Sequence, residues 1–143
     1  MPEFLDLAVT LALGDARDEL EGIGLCHTAT ASPGGSGALY LAAANYADRG
    51  SKVLLRDRHW GPYDGFLAGC GLDIATYPLL SGDSGLDLAG LESSLRELST
   101  SQTKIMSWLN DPAHNPTGLS LTADERMSVL KAFADAAMDN ENI

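Results

Sequence analysis

Basic residues and long apolar runs are both scarce in this sequence. Lys and Arg together number nine against 20 Asp and Glu, which gives a net charge of −11. Contact with nucleic-acid phosphates depends on clustered cations, so this balance argues against a nucleic-acid partner. The apolar runs stop well short of the roughly 20 residues that span a bilayer. We therefore expect neither a nucleic-acid partner nor a membrane partner.

Cysteine is scarce as well. The two cysteines, Cys26 and Cys70, lie far apart in the sequence and form no Cys-x-x-Cys pair. This usage favours two reduced, buried thiols in a cytoplasmic protein, and it argues against a structural zinc site. We predict no metal site.

Predicted helices and strands alternate along the chain. Strands are predicted over residues 23–31, 52–57, 73–79 and 104–110. Helices are predicted over residues 3–13, 36–48, 61–71, 87–98 and from Thr122 to about Ala137. This alternation predicts one α/β domain over residues 1–143, with a mostly parallel sheet between two helical layers. The polar end "DNENI" resembles a cut made before another strand, so we expect a fragment of a longer chain.

Two helices carry strong local signals. Thr122 and Glu125 form the Thr-x-x-Glu pattern of a capping box, which predicts the start of the last helix. A stripe of four leucines at helical spacing predicts the buried face of the helix over 87–98. These leucines are Leu88, Leu91, Leu95 and Leu98.

The stretch "SPGGSGALY", residues 32–40, places a glycine-rich turn between a predicted strand and a predicted helix. Ligands of open α/β sheets bind beyond the carboxyl ends of strands, and free N–H groups at a helix start attract anions. Gly35 and Ser36 therefore form a candidate phosphate cradle. The alternative without function is a tight turn in which Ser36 only caps the helix.

Two other functions can be read from the same turn. A dinucleotide fold would use Asp57 as its ribose-binding acid, although Tyr40 occupies the place of the third glycine of the fingerprint. A serine hydrolase would use Ser36 with Asp111 and His114, in the expected chain order. The last two residues share one loop, however, which is unusual for such a triad.

Two further signals follow predicted strands. Trp60 comes just after the strand over 52–57, where an indole either packs or offers a flat stacking surface. Asn115 lies in "NDPAHNPTG" after the strand over 104–110, and Pro116 restrains its backbone. A phosphate cradle, an aromatic plate and a rigidly held amide at strand ends together suit a flat phosphorylated ring.

The motifs "SPGGSGAL", "RHWGPY" and "AHNPTG", in this order and spacing, resemble fold type I pyridoxal-phosphate aminotransferases. The aspartate and aromatic amino-acid branch is the most similar, and the chain would be the first half of the family's large domain. The resemblance implies that Gly35, Ser36 and Gly37 bind the phosphate of pyridoxal 5′-phosphate. It also implies that Trp60 stacks on the ring, that Asn115 donates to the ring 3-oxygen, and that both contact substrate. The family more often has Ser-Gly-Thr-Gly at this turn.

The resemblance also shows what this chain lacks. The family's Schiff-base lysine comes after the stretch given, so no catalytic residue is assigned here. Lys52, Lys104 and Lys131 are predicted to be solvated, and His27, His59 and His114 to be structural. The whole protein is then expected to be a cytoplasmic homodimer that moves an amino group between an acidic or aromatic amino acid and a 2-oxo acid. The 143-residue chain alone should be inactive. A non-catalytic phosphate- or nucleotide-binding α/β module and the Ser36 hydrolase remain the alternatives.

Overall fold

A computed structural model describes residues 1–25, 27–82 and 85–139. Along these residues the elements are α1 (Pro2–Leu13), α2 (Ala16–Gly22), α3 (Gly34–Tyr46), β1 (Lys52–Arg56), α4 (Pro62–Gly69), β2 (Asp73–Tyr77), α5 (Leu88–Ser99), β3 (Met106–Ser107) and α6 (Ala123–Asp139). The chain divides into two compact units, Met1–Ala38 and Leu39–Ile143. The single domain over residues 1–143 stays a prediction.

The first unit contains α1, α2 and the start of α3. Pro2 occupies the first turn of α1, where its missing N–H has no intrahelical role. Arg17 on α2 contacts both Asp6 on α1, at 2.6 Å, and Glu21 on its own helix, at 3.1 Å. Because both carboxylates are largely exposed, these ion pairs contribute little to stability. No described residue of α1 or α2 is buried.

The second unit is built on a parallel sheet of order β2-β1-β3. β1 pairs with β2 along five residues, from Lys52 opposite Asp73 to Arg56 opposite Tyr77. It pairs with β3 at only two positions, beginning with Val53 opposite Met106. The carboxyl ends of all three strands therefore lie at one edge of the sheet, which we call the carboxyl edge.

Two hydrophobic cores cover the two faces of this sheet. On one face Leu54 and Tyr77 pack with residues of α5 and α6: Leu91, Leu95, Leu98, Val129 and Ala132. On the other face Val53 and Leu55 pack with residues of α3, α4 and the segment after α4: Ala43, Tyr63, Leu67 and Leu72. β1 is thus buried on both sides, as central parallel strands are. The predicted α/β/α layering is confirmed in this unit. In the leucine stripe of α5 three residues are buried, and Leu88 is half-buried against the same core.

Two strand predictions need correction. Residues 23–25 and 27–31 contain no strand, because β-structure requires a hydrogen-bonded neighbour and the described part of the first unit has no other strand to pair with. The glycine turn therefore does not follow a strand. β3 spans Met106–Ser107 rather than 104–110, since β1 offers pairing there at two positions only.

Other predictions fall partly within the described residues. Cys70 is a free thiol and is half-buried rather than buried, whereas Cys26 lies outside the described residues. The last four residues of "DNENI" lie outside them too. Among the helices that the structure describes, none has both the length and the apolar character needed to cross a membrane.

Candidate functional site

The glycine turn lies at the start of α3, in the first unit. Gly34 has a φ of 71°, a backbone conformation that favours glycine. Its N–H donates to the Ser32 carbonyl over 2.8 Å, and the Ser32 hydroxyl donates to the Gly34 carbonyl over 3.0 Å. A Cβ added at Gly37 would lie 2.5 Å from Pro33 Cγ. The sequence thus uses glycine for a turn at one position and for close packing against a proline ring at another.

Gly35 and Ser36 are exposed in the first turn of this 13-residue helix. The first N–H groups of a helix have no acceptor within the helix, and the helix dipole favours an anion beside them. A Cβ added at Gly35 would meet no atom within 4 Å. Backbone N–H groups at a helix start, the Ser36 hydroxyl and the open space beside Gly35 match the chemistry of a phosphate group.

Trp60 lies between β1 and α4 in the second unit. Its ring centroid is 5.6 Å from that of Tyr63, with the rings at 88°, and 6.0 Å from that of Phe66. The side chain is half-buried and packs against the core that contains Leu67. The indole is therefore held by aromatic neighbours while part of it stays open to solvent.

Tyr63 connects Trp60 to the segment that follows β3. Its ring meets Trp108 edge to face at 4.9 Å. The side-chain amide of Asn110 donates to the Tyr63 hydroxyl over 3.2 Å. These contacts fix the tyrosine, and through its ring the orientation of Trp60.

Asn115 is exposed in the segment between β3 and α6. We call residues 110–118 the Asn115 loop. Its backbone closes on itself: the His114 N–H donates to the Leu119 carbonyl over 2.7 Å, and the Gly118 N–H donates to the His114 carbonyl over 2.6 Å. The loop thus presents Asn115 on a backbone that is tied on both sides, as the Pro-Thr-Gly sequence predicts.

Asp111 ties the Asn115 loop to the start of α6. One carboxylate oxygen accepts from the Leu121 N–H over 2.8 Å. The other accepts from two nitrogens of Arg126, at 2.9 and 2.8 Å. The hydrogen bond from Leu121 and, after it, the Arg126 guanidinium lower the pKa of Asp111. This carboxylate therefore serves as an anchor in its ionised form.

His114 is buried, and its Nδ1 lies 2.8 Å from the Thr117 hydroxyl. Burial lowers the pKa of His114, and the nearby Arg56 guanidinium lowers it further. The carboxylate of Asp111 is bonded to Leu121 and Arg126 rather than to this imidazole. The structure thus lacks the acid–base hydrogen bond that the Ser36 hydrolase interpretation requires.

Asp57, the ribose-binding acid of the dinucleotide interpretation, follows β1 directly. Asp57 does more than carry a surface charge, because its Oδ1 accepts from the Leu79 N–H over 3.0 Å and so joins the ends of β1 and β2. The carboxylate is thus partly engaged in the fold, which weakens its assignment as a ribose ligand. Lys52, Lys104 and Lys131 are exposed, as predicted, the last two in ion pairs with aspartates.

The histidines bond within the fold, as the structural interpretation predicts. His27 Nε2 lies 3.1 Å from Glu21. His59 lies 3.0 Å from the Arg56 carbonyl through Nδ1 and 2.8 Å from Asp64 through Nε2.

Sequence reasoning missed a set of polar residues at the carboxyl edge. These residues are Arg56, Tyr63, Tyr77 and Asn110. Arg56 is 2% exposed and donates to the Tyr77 hydroxyl and the Asn110 carbonyl, each over 3.3 Å. The available signal was a cation directly after three apolar residues at the end of a strand, "KVLLR".

The roles of the five candidate residues stay predictions. Gly35, Ser36 and Gly37 belong to the first unit, and Trp60 and Asn115 belong to the second. The donor set, the half-open indole and the exposed amide each fit one part of a phosphorylated pyridine. That the five residues meet in one pocket stays a prediction.

Comparison with known proteins gives a consistent result. A sequence model described as aminotransferase class I and II matches residues 22–137. An aromatic-amino-acid aminotransferase from Pseudomonas aeruginosa is 34% identical over 104 residues, which cover 71% of this chain and 25% of that protein. One from Paracoccus denitrificans is 32% identical over 128 residues, which cover 87% of this chain and 30% of that protein.

Among solved structures, an aminotransferase from Anaerococcus prevotii superposes with a TM-score of 0.75 at 29% identity. The match covers 80% of this chain and 28% of that one. The chain therefore spans between a quarter and a third of the length of the proteins that it matches.

Proposed function

The chain belongs to the class I and II aminotransferase family, and from that premise we propose that it is part of a pyridoxal-phosphate-dependent aminotransferase. The proposed reaction moves an amino group between an acidic or aromatic amino acid and a 2-oxo acid. Both curated relatives are named aromatic-amino-acid aminotransferases, which supports this choice of substrate class.

One observation carries the proposal. The family match over residues 22–137 includes all five candidate site residues. The proposal is supported by the N–H groups at the start of α3 for a phosphate, by the half-open indole of Trp60 for a flat ring, and by the exposed amide of Asn115 for a ring oxygen or a carboxylate.

In the proposed site the backbone N–H groups of Gly35, Ser36 and Gly37 and the Ser36 hydroxyl hold the phosphate. Trp60 stacks against the pyridine ring, and its packing on Tyr63 keeps the indole from rotating. Asn115 donates to the ring 3-oxygen and contributes to holding the substrate. When bound, pyridoxal phosphate supplies an aldehyde that condenses with amines and a ring that withdraws electrons from the substrate α-carbon.

The proposal includes a limit on this chain. Its lysines, Lys52, Lys104 and Lys131, are all exposed, and none lies at the carboxyl edge. We propose that the 143-residue chain by itself does not transaminate. Homodimer assembly and a cytoplasmic location of the whole protein belong to the same proposal and rest on the family resemblance.

Calorimetric titration with pyridoxamine 5′-phosphate tests cofactor binding, because this amine cannot condense with exposed lysines. We expect pyridoxamine 5′-phosphate to bind to the chain. Pyridoxamine lacks the charged phosphate acceptor, so its affinity should be at least about tenfold lower. Ser36→Ala should weaken binding of the phosphorylated probe several-fold. Ser128→Ala removes a half-buried serine of α6 whose hydroxyl donates to the Asp124 carbonyl, and should leave binding unchanged.

Asn115→Ala and Asn45→Ala form a second matched pair. The Asn45 amide donates to the Leu41 carbonyl within α3, so its removal should leave the affinity as it is. Asn115→Ala should lower the affinity for pyridoxamine 5′-phosphate, because it removes the amide assigned to the ring 3-oxygen. Equal affinity for the two probes, or equal effects of the paired variants, would contradict the proposed site.

A further inference from the structure

Arg56 is a buried cation that makes no ion pair with any carboxylate in the described part of the chain. It ends β1, and the residue is 2% exposed. Its Nε donates to the Tyr77 hydroxyl and its Nη1 to the Asn110 carbonyl, each over 3.3 Å. The remaining nitrogen, Nη2, is buried and has no hydrogen-bond partner among the residues that the structure describes. None of the ion pairs within the described ranges involves Arg56.

Burial of a guanidinium opposes folding because the group loses its hydration, and the Asp111 carboxylate offsets this loss only at a distance, without an ion pair. Its contacts show what this arginine does instead. Tyr77 ends β2, and Asn110 follows β3, so one planar side chain joins the ends of all three strands. Lysine carries a single ammonium group and therefore cannot donate to both acceptors as the planar guanidinium does.

We propose that Arg56 is a positioning residue: it fixes Asn110, the first residue of the Asn115 loop, and thereby sets where Asn115 stands at the carboxyl edge. Asn110 is held from two directions, since its carbonyl accepts from Arg56 and its side chain donates to the Tyr63 hydroxyl. Tyr63 in turn packs against Trp60. One arginine therefore links the two side chains, Trp60 and Asn115, to which ring and substrate contacts are assigned.

The charge of Arg56 has a second effect within the Asn115 loop. His114 is buried next to Asn115, and the loop closes through its backbone. Burial and the Arg56 guanidinium lower the pKa of His114, with a smaller contribution in the same direction from His59. Asp111 and Asp57 act in the opposite direction. Removing the Arg56 charge should therefore raise the pH at which His114 titrates.

The inference rests on the proposed function only for what Asn115 binds. Positioning itself can be measured in the 143-residue chain without cofactor, by amide hydrogen exchange and by NMR titration of His114. Failure of cofactor binding and failure of positioning are then separate results.

Three substitutions separate geometry from charge. Arg56→Lys keeps the charge but cannot hold both acceptors, so exchange at the His114 and Gly118 amides should accelerate about tenfold, while the His114 midpoint stays in place. Arg56→Gln keeps a donor and removes the charge, so the midpoint should rise toward the ordinary value of 6.5. Arg56→Met should show both effects.

Two amides far from Arg56 and one exposed lysine serve as controls. The amides of Gly50 and Asp73 lie at the opposite edge of the sheet, where they donate to Gly71 and Ser51, and should keep their exchange rates. Lys104→Met removes an exposed cation and should leave both readouts unchanged.

A uniform acceleration at Gly50, Asp73, His114 and Gly118 would overturn the inference, because it would mean that Arg56 only stabilises the fold. A His114 midpoint that is the same in the wild-type chain and Arg56→Gln would overturn it as well. If Arg56→Met does not fold, the lysine and glutamine variants decide the matter.

Discussion

Removal of the Asp111 carboxylate offers the sharpest test of how the Asn115 loop is anchored. The side chain is 9% exposed and accepts from the Leu121 N–H and from two nitrogens of Arg126. Loss of an ionised acceptor for Leu121 costs about 1.5–3 kcal/mol. The Arg126 guanidinium is 48% exposed, so its pairing adds only about 0.2–1 kcal/mol. We therefore expect Asp111→Ala to lower the free energy of unfolding by about 2–4 kcal/mol.

The pH dependence of this difference follows from the direction of the pKa shift. The pKa of Asp111 in the folded chain lies below its ordinary value of 3.8, because the ionised form receives the hydrogen bond from Leu121 and the charge of Arg126. The stabilisation is thus complete above that ordinary value and disappears as the pH falls through the folded pKa. The difference between wild-type and Asp111→Ala should be constant near neutral pH and shrink in acid.

Urea unfolding of both chains across this pH range measures the difference. Asp111→Asn retains an oxygen that can accept from Leu121 and should lose about 1 kcal/mol, less than the alanine variant. Asp135→Asn is the matched control, since within the described ranges Asp135 pairs with the exposed Lys131 alone and its removal should cost less than about 0.5 kcal/mol. A difference that persists undiminished at acid pH, or equal losses in the two asparagine variants, would refute the reasoning.

Three further substitutions test the fold. Thr122→Ala removes the hydroxyl that accepts from the Glu125 N–H, so it should cost about 1 kcal/mol, measured by urea unfolding followed by circular dichroism. Leu91→Ala leaves a cavity at a fully buried position and should cost about 2–5 kcal/mol in thermal or urea unfolding. As its control, Leu11→Ala changes a residue that is 89% exposed and should cost less than about 0.5 kcal/mol. Burial raises the pKa of Tyr77, so folding keeps this phenol protonated while the unfolded chain ionises. Stability should fall as the pH rises above the ordinary value of 10.0, and Tyr77→Phe should lessen that fall in alkaline unfolding curves.

Much of the second unit was predictable because its signals are local or periodic. The capping box of Thr122 and Glu125 forms as predicted, with hydrogen bonds in both directions. The apolar run "VLL" in β1 predicts a strand buried on both faces, and its three side chains are buried. The leucine stripe of α5 depends only on helical spacing.

Features that depend on distant partners were not predictable in the same way. Residues 27–31 have the composition of a strand, but composition supplies no partner for pairing. The shortness of β3 depends on where β1 offers hydrogen bonds, which the sequence of β3 does not contain.

The candidate site shows the same difference between local signals and contacts with distant residues. Motifs made Ser36, Trp60 and Asn115 candidates from the sequence alone, and their roles stay predictions. Arg56, Tyr77 and Asn110 act through contacts between residues far apart in the chain, and each looks ordinary in its own segment. A cation at the end of a strand is usually solvated, and only packing shows that this one is enclosed.

The alternation of side chains in β1 has a consequence for how the second unit comes apart. Leu54 points to one core, and its neighbours Val53 and Leu55 point to the other, so neither helical layer can detach without uncovering the same short backbone. Partial opening that frees only α5 and α6, or only α3 and α4, exposes one face of β1 to solvent. The two layers should therefore melt as one cooperative unit, with the β1 amides among the last in the chain to exchange with solvent.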